Sequence, residues 1–235
     1  MSPQTNLRTD DFGGSSKKRA EIVLRIIQGI RKATSNEFCI GIKMNSVDAA
    51  SAESLSDVME QIKLIVECGI DFIEISGGSY ENPRMMAEPQ LATNSTPTDS
   101  SNDSNLKTSQ RESFFLEFAK AVRENFPSVV LMVTGGFRTR VGMEGALQSG
   151  NCDLIGIGRP AAVVPKLPKE IILNTQQIAD EKAQVALAPV PVPFIIKHIP
   201  VKQVGAGVQS QYYGSQIQRM GQGLGPIDTR IQVTE

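Results

Sequence analysis

Two stretches of the chain end an apolar run in glycine followed by arginine: LMVTGGFRTR over residues 131–140 and LIGIGRPAAV over residues 154–163. Glycine lets backbone N–H groups come close to a ligand, and arginine forks onto phosphate oxygens. If the two runs are neighbouring strands, Gly135, Gly136, Gly158 and Arg159 make a candidate phosphate cradle. Lys43, at the end of the apolar run that begins at residue 38, would offer a cation to the rest of the same ligand. Each feature alone has an ordinary explanation. Glycines end many strands for turn geometry, and a lysine at a strand end snorkels to solvent. It is the pair of glycine-arginine loops on consecutive runs that favours phosphate. Arg138 and Arg140 are expected to cap or decorate the following helix. Glu74 alternates with Ile73 and Ile75, so it points away from them, toward either a pairing cation or a ligand.

Composition narrows the remaining chemistry. Among 235 residues, 24 lysines and arginines stand against 25 aspartates and glutamates, a net charge of −1 that gives no electrostatic reason to expect nucleic acid or an acidic membrane as partner. The single histidine, His198, lies in PVPFIIKHIP, far in sequence from the glycine loops. Histidine-based metal sites and Ser-His-Asp chemistry are therefore not expected within residues 1–190, and no metal site is assigned. Cys39, Cys68 and Cys152 are scattered without C-x-x-C spacing and read as small buried hydrophobes of a reducing compartment. No apolar run approaches the ~18–20 residues a spanning helix needs. MSPQTNLRTDD at the start lacks the apolar core of a signal peptide. A soluble, cytoplasmic protein is expected.

The elements that must position the glycine loops follow from periodicity. FCIGIKMN (38–45), DFIEIS (71–76), VVLMVT (129–134) and DLIGIG (153–158) are short runs rich in Ile, Val and Leu, as in strands of a buried parallel sheet. Helical patterns lie between them. Residues 17–32 place Ile22, Ile26, Ile27 and Ile30 on one stripe, with Arg19, Arg25 and Lys32 largely elsewhere. Residues 55–69 carry Leu55, Met59, Ile62 and Val66 and stop at Gly69; residues 111–125 and 140–150 complete the set, the last ended by Gly150. The α-β alternation predicts right-handed crossovers and a parallel sheet, with no further internal repeat. Residues 1–170 form the α/β unit, and 87–110, rich in Ser, Thr, Asn, Asp and Pro, read as a flexible insertion. Residues 171–235 form a helical, Pro-rich extension in which Tyr212 and Tyr213 are expected to pack on the body.

NLRTDDFGGSSKKRAEI (6–22), GIKMNSVD (41–48), EISGGSYENPRMM (74–86), VTGGFRTR (133–140) and GIGRPAAVVPKLP (156–168) resemble the Old Yellow Enzyme family, and most closely its fungal NADH:flavin oxidoreductase branch. The match extends in order into the tail, through VGAGVQSQYYGSQI. The resemblance implies a (β/α)8 TIM barrel that binds FMN, is reduced by NADH or NADPH, and passes hydride to an activated alkene or related small molecule, with secondary metabolism as a plausible setting. It implies that Gly135, Gly136, Gly158 and Arg159 hold the FMN phosphate. It also implies that Lys43 stands beside the pyrimidine end of the flavin, where many members carry arginine. The matched blocks correspond to strands five to eight of that barrel. The family's substrate-holding histidine pair and proton-donating tyrosine belong to the other half, so no catalytic residue carries over, and Tyr80 has no such role in the motif. The alternative expectation is a truncated non-catalytic remnant, an incomplete gene model, or a partner subunit of a full-length homologue. Pairing of two copies into eight strands is a further possibility for a homo-oligomer.

Overall fold

The computed structural model describes residues 1–45, 54–76, 116–187, 190 and 202–227. The insertion expected over 87–110, the Gly77-Gly78 pair, Tyr80 and His198 lie outside the described residues.

Three helices begin where a hydroxyl side chain can satisfy an orphan amide. Ser15 accepts from the Lys18 N–H at the start of α1 (Ser16–Ala33), Ser54 from Asp57 N–H at α2 (Leu55–Glu67), and Thr139 from Gly142 N–H at α4 (Arg140–Gln148). Just beyond α2 and α4 stand Gly69 and Gly150, both at positive φ (84° and 72°), the left-handed turn that glycine takes without cost. A further helix, α3, is described over 116–125.

Between the helices run β1 (Gly41–Asn45), β2 (Phe72–Ser76), β3 (Val130–Thr134) and β4 (Leu154–Gly156), parallel and in the order β1-β2-β3-β4. The register aligns Lys43 with Glu74, Glu74 with Met132, Met132 with Leu154, and Thr134 with Gly156. Because side chains alternate along a strand, one face carries Met44, Ile73, Ile75, Leu131 and Val133. It buries them against Ala20, Leu24 and Ile27 of α1, Val58, Ile62 and Ile65 of α2, Ala119 and Val122 of α3, and Met143 and Ala146 of α4. The opposite face carries Lys43, Glu74, Met132 and Thr134, with Val130 and Leu154 left 39% and 47% exposed. On this face the Phe72 ring lies over Gly41, where an added Cβ would come within 2.1 Å of it.

The edge of the sheet where the strands begin is held by one device used twice. The Asp71 N–H donates to Ile40 O while the Asp71 carboxylate accepts from Ile40 N–H, and Arg31, near the end of α1, pairs with the same carboxylate. Asp153 repeats this with Leu131 and with Arg123, near the end of α3. The repetition is invisible in sequence because the Arg-to-Asp separations differ, 40 residues against 30.

The buried stripes differ from the periodicity in two helices. Ile22 and Ile26 are exposed, while Arg19 is buried, donating to Met1 O and Gly14 O and pairing with Asp57. The guanidinium turns inward because the folded N-terminal segment supplies carbonyl acceptors there. On α2 Leu55 is exposed and Val58, Gln61, Ile62 and Ile65 are buried, a rotation of the stripe that lets Gln61 donate to Ser16 O. Cys39, expected to be buried, is exposed; Cys152 is buried, and that burial pushes its thiol up to about 11.

Arg140 is not surface decoration but the most deeply wired side chain described. It is 1% exposed and donates to Ile171 O, Ile172 O, Ile178 O and Asp180. With the pairing of Arg140 N–H to Ala183 O and Val185 N–H to Arg138 O, this docks residues 168–185 so that Ile171, Ile172, Ala183 and Val185 join the main core. Helix α5 (Arg159–Val163) and the terminal α6 (Lys202–Gly221) form a second, smaller cluster through Ala162, Val163, Val190 and Tyr213, with Tyr212 edge-on to Tyr213 at 5.1 Å.

Two outcomes follow. Arg140→Ala removes charge-assisted bonds to three buried carbonyls and lowers unfolding free energy by about 3 kcal/mol; Asp180, being exposed, adds little. Denaturant titration reads the loss, and limited proteolysis places it at residues 168–185. The Ile40 N–H and then Arg31 hold the Asp71 carboxyl below its usual range, against a smaller opposing effect of burial. A carboxyl depressed in the folded state stabilises above its unfolded pKa and loses that contribution as pH falls through the folded value. Asp71→Asn therefore costs about 1 kcal/mol at neutral pH, after solvent screening, and the gap to the wild type closes below about pH 4.

Candidate functional site

The two glycine-arginine loops do meet. Gly135 and Gly136 follow β3 directly and Gly158 and Arg159 follow β4 after one further residue, so the Thr134–Gly156 register sets both at the same end of adjacent strands. Gly136 has φ 80°, a conformation that a residue with a Cβ enters only at a cost of about 1–2 kcal/mol. Gly158 caps α5 with no side-chain hydrogen bond, and Arg159 opens that helix. The Arg159 Nη1 donates to Gln209 Oε1 of α6 at 3.3 Å, a contact absent from any reading of the glycine motif because it joins segments 50 residues apart.

Thr134 is the residue the motif reading overlooked. Its Oγ1 is buried and without a hydrogen-bond partner. It also lies so close to Gly156 that a Cβ built there would be 1.8 Å from it. An unsatisfied buried hydroxyl costs stability unless something outside the chain pairs with it. The available signal was the strand alternation, which puts Thr134 on the same face as Met132 and Glu74.

Lys43 does not end its strand. It is the third residue of β1, two short of Asn45, and pairs directly with Glu74 across the sheet. Lys43 is 54% exposed at its side chain and Glu74 19%. Of the two readings left open for Glu74, the structure realises the pairing cation. β1 lies two strands from β3, about 10 Å in the hydrogen-bonding direction. Lys43 thus lies on the same face of the sheet as Thr134, but nearer the middle of the strands than the glycine loops. The site offers backbone amides and a guanidinium at one point and an ion pair at another. No group of three or more potential metal ligands occurs among the described residues, and no described helix is long and apolar enough to cross a membrane.

Residues 1–177 match the model of the NADH:flavin oxidoreductase / NADH oxidase family. The chain is 38% identical over 219 residues to the NADH-dependent flavin oxidoreductase iliE of Neonectria sp. (strain DH2), covering 91% of this chain and 28% of that protein. It is 35% identical over 221 residues to the NADH-dependent flavin oxidoreductase iccE of Talaromyces variabilis, covering 94% of this chain and 51% of that one. The chain spans about half of such relatives, or less. Among solved structures, 2-naphthoyl-CoA reductase aligns with a TM-score of 0.54 at 22% identity, over 71% of this chain and 23% of that one, a likeness of fold.

Thr134→Val keeps the branched shape and removes the orphan hydroxyl. We expect it to stabilise the protein without ligand by about 1 kcal/mol in thermal or denaturant unfolding. A loss of stability instead would mean that the hydroxyl is already satisfied.

Proposed function

The chain belongs to the NADH:flavin oxidoreductase / NADH oxidase family, and on that premise we propose that it carries the phosphate grip of an FMN-dependent oxidoreductase acting with NADH on an activated alkene or related small molecule. The observation that carries this reading is the juxtaposition of Gly135-Gly136 and Gly158-Arg159 at one end of adjacent strands. The residues suit such a cofactor on their own chemistry. Gly136 at φ 80° leaves backbone approachable, the Thr134 hydroxyl lacks a partner within the chain, and Lys43 supplies a positive charge on the same face.

In this reading the amides around Gly135, Gly136 and Gly158 bind phosphate oxygens, and Arg159 contributes a charge-assisted fork. Lys43 orients the electron-rich end of the ring and favours negative charge there. When bound, the flavin supplies the hydride-transfer chemistry. No described residue is assigned to hold the acceptor or to donate a proton to it.

A second reading rests on the coverage of the relatives and on exposed Val130 and Leu154. Here the grip works only when the open face of the sheet is covered by further strands, from a second copy or from a full-length relative.

Incubation with FMN followed by desalting tests both. The proposed function requires a retained flavin absorbance that NADH bleaches, and Arg159→Ala should weaken retention at least tenfold, about 1.4 kcal/mol. Bleaching by NADPH at the same rate would extend the reductant to both nucleotides. Retention only in a dimeric fraction, or only with a full-length relative present, selects the second reading. A folded, colourless protein under every condition overturns both.

A further inference from the structure

Resting on the reading of a flavin site, we infer that Glu74 sets the charge which Lys43 presents to the bound flavin, holding the cation largely neutralised. Lys43 and Glu74 are register partners at the third position of adjacent strands and point to the same face. Their side chains form an ion pair in which the carboxylate is the more buried member. The ladder positions around them on that face are Gly41, Asn45, Phe72, Ser76, Met132 and Leu154, none of which carries charge. Within this ladder the carboxylate is therefore the partner that balances the ammonium.

The consequence is electrostatic. A lone ammonium beside the pyrimidine end of a flavin favours the reduced, anionic form over the neutral oxidised form. A carboxylate in contact with that ammonium cancels much of its field, and itself repels the anion. Lysine makes this cancellation efficient, because its charge is a compact point, whereas an arginine fork could serve carboxylate and ligand at once. Glu74 is thus a positioning residue that acts through Lys43. It makes the reduced flavin a readier hydride donor than an unpaired cation would.

The test is the two-electron midpoint potential of FMN bound to the wild type and to two variants. Glu74→Gln should raise the potential by at least the equivalent of a tenfold tighter relative grip on the reduced form, about 30 mV. Lys43→Met leaves the carboxylate alone beside the ring and should lower the potential by a similar amount. Shifts of opposite sign are not produced by a pair that merely ties two strands together. Unchanged potentials, or shifts in the same direction, in folded variants that retain FMN would overturn the inference while leaving the proposed function standing. A folded wild type that never retains FMN removes the proposed function, and this inference with it. Glu74→Gln is the decisive variant; if it fails to fold, Glu74→Ala is measured in its place with the same predicted sign.

Discussion

The side chains at the strand ends of this sheet depend on how the strands are fixed where they begin. There, Asp71 and Asp153 each close a two-way bond with the backbone beside the neighbouring strand, and each is locked by an arginine from the end of the preceding helix. One carboxylate thereby fixes three things together: where its own strand starts, how far the adjacent strand slides, and where a helix ends. A slip of one residue would turn every side chain to the other face. The clasps thereby hold Lys43 opposite Glu74 in one pair of strands and Thr134 opposite Gly156 in the other.

Arginine carries a second kind of constraint. Arg19 and Arg140 are buried, and both answer backbone carbonyls that have no partner in a helix or sheet. A guanidinium suits this task because its donors fan out in a plane and stay charged under all ordinary conditions. Arg140 docks the segment after α5 against the core. Arg159, by contrast, opens α5 and reaches Gln209 on α6, so the terminal helix is in contact with the candidate phosphate grip. Five arginines of similar appearance in sequence thus divide into two clasps, Arg31 and Arg123, two buried anchors, Arg19 and Arg140, and Arg159 at the candidate grip.

The two ends of the sheet differ: the ion-paired clasps lie at the strand starts, and the candidate site lies at the strand ends, where barrel-type α/β proteins place theirs. At the strand starts both aspartate carboxylates are paired, each with a backbone N–H and a guanidinium. At the strand ends the Thr134 hydroxyl has no partner and Gly136 takes a left-handed turn that suits glycine, while Lys43, at the middle of its strand, is paired and half-exposed. Of these, the buried hydroxyl is the one that costs folding energy while it lacks a partner.

Much of this was legible in the residues. The four apolar runs appear as four parallel strands because short, β-branched segments separated by helical periods have few other ways to bury themselves. Gly69 and Gly150 mark helix ends by local chemistry alone, and the two glycine-arginine runs do lie on adjacent strands. Only the tertiary structure could decide the rest, because it turns on partners distant in the chain. The roles of Arg140 and Glu74 depend on an acceptor and a cation 31 residues away, and that of Arg19 on an acceptor brought in by the folded N-terminus. The rotation of the buried stripes on α1 and α2 has the same origin. Periodicity shows that a helix has an apolar side, but which residues are buried is decided by the surface it meets.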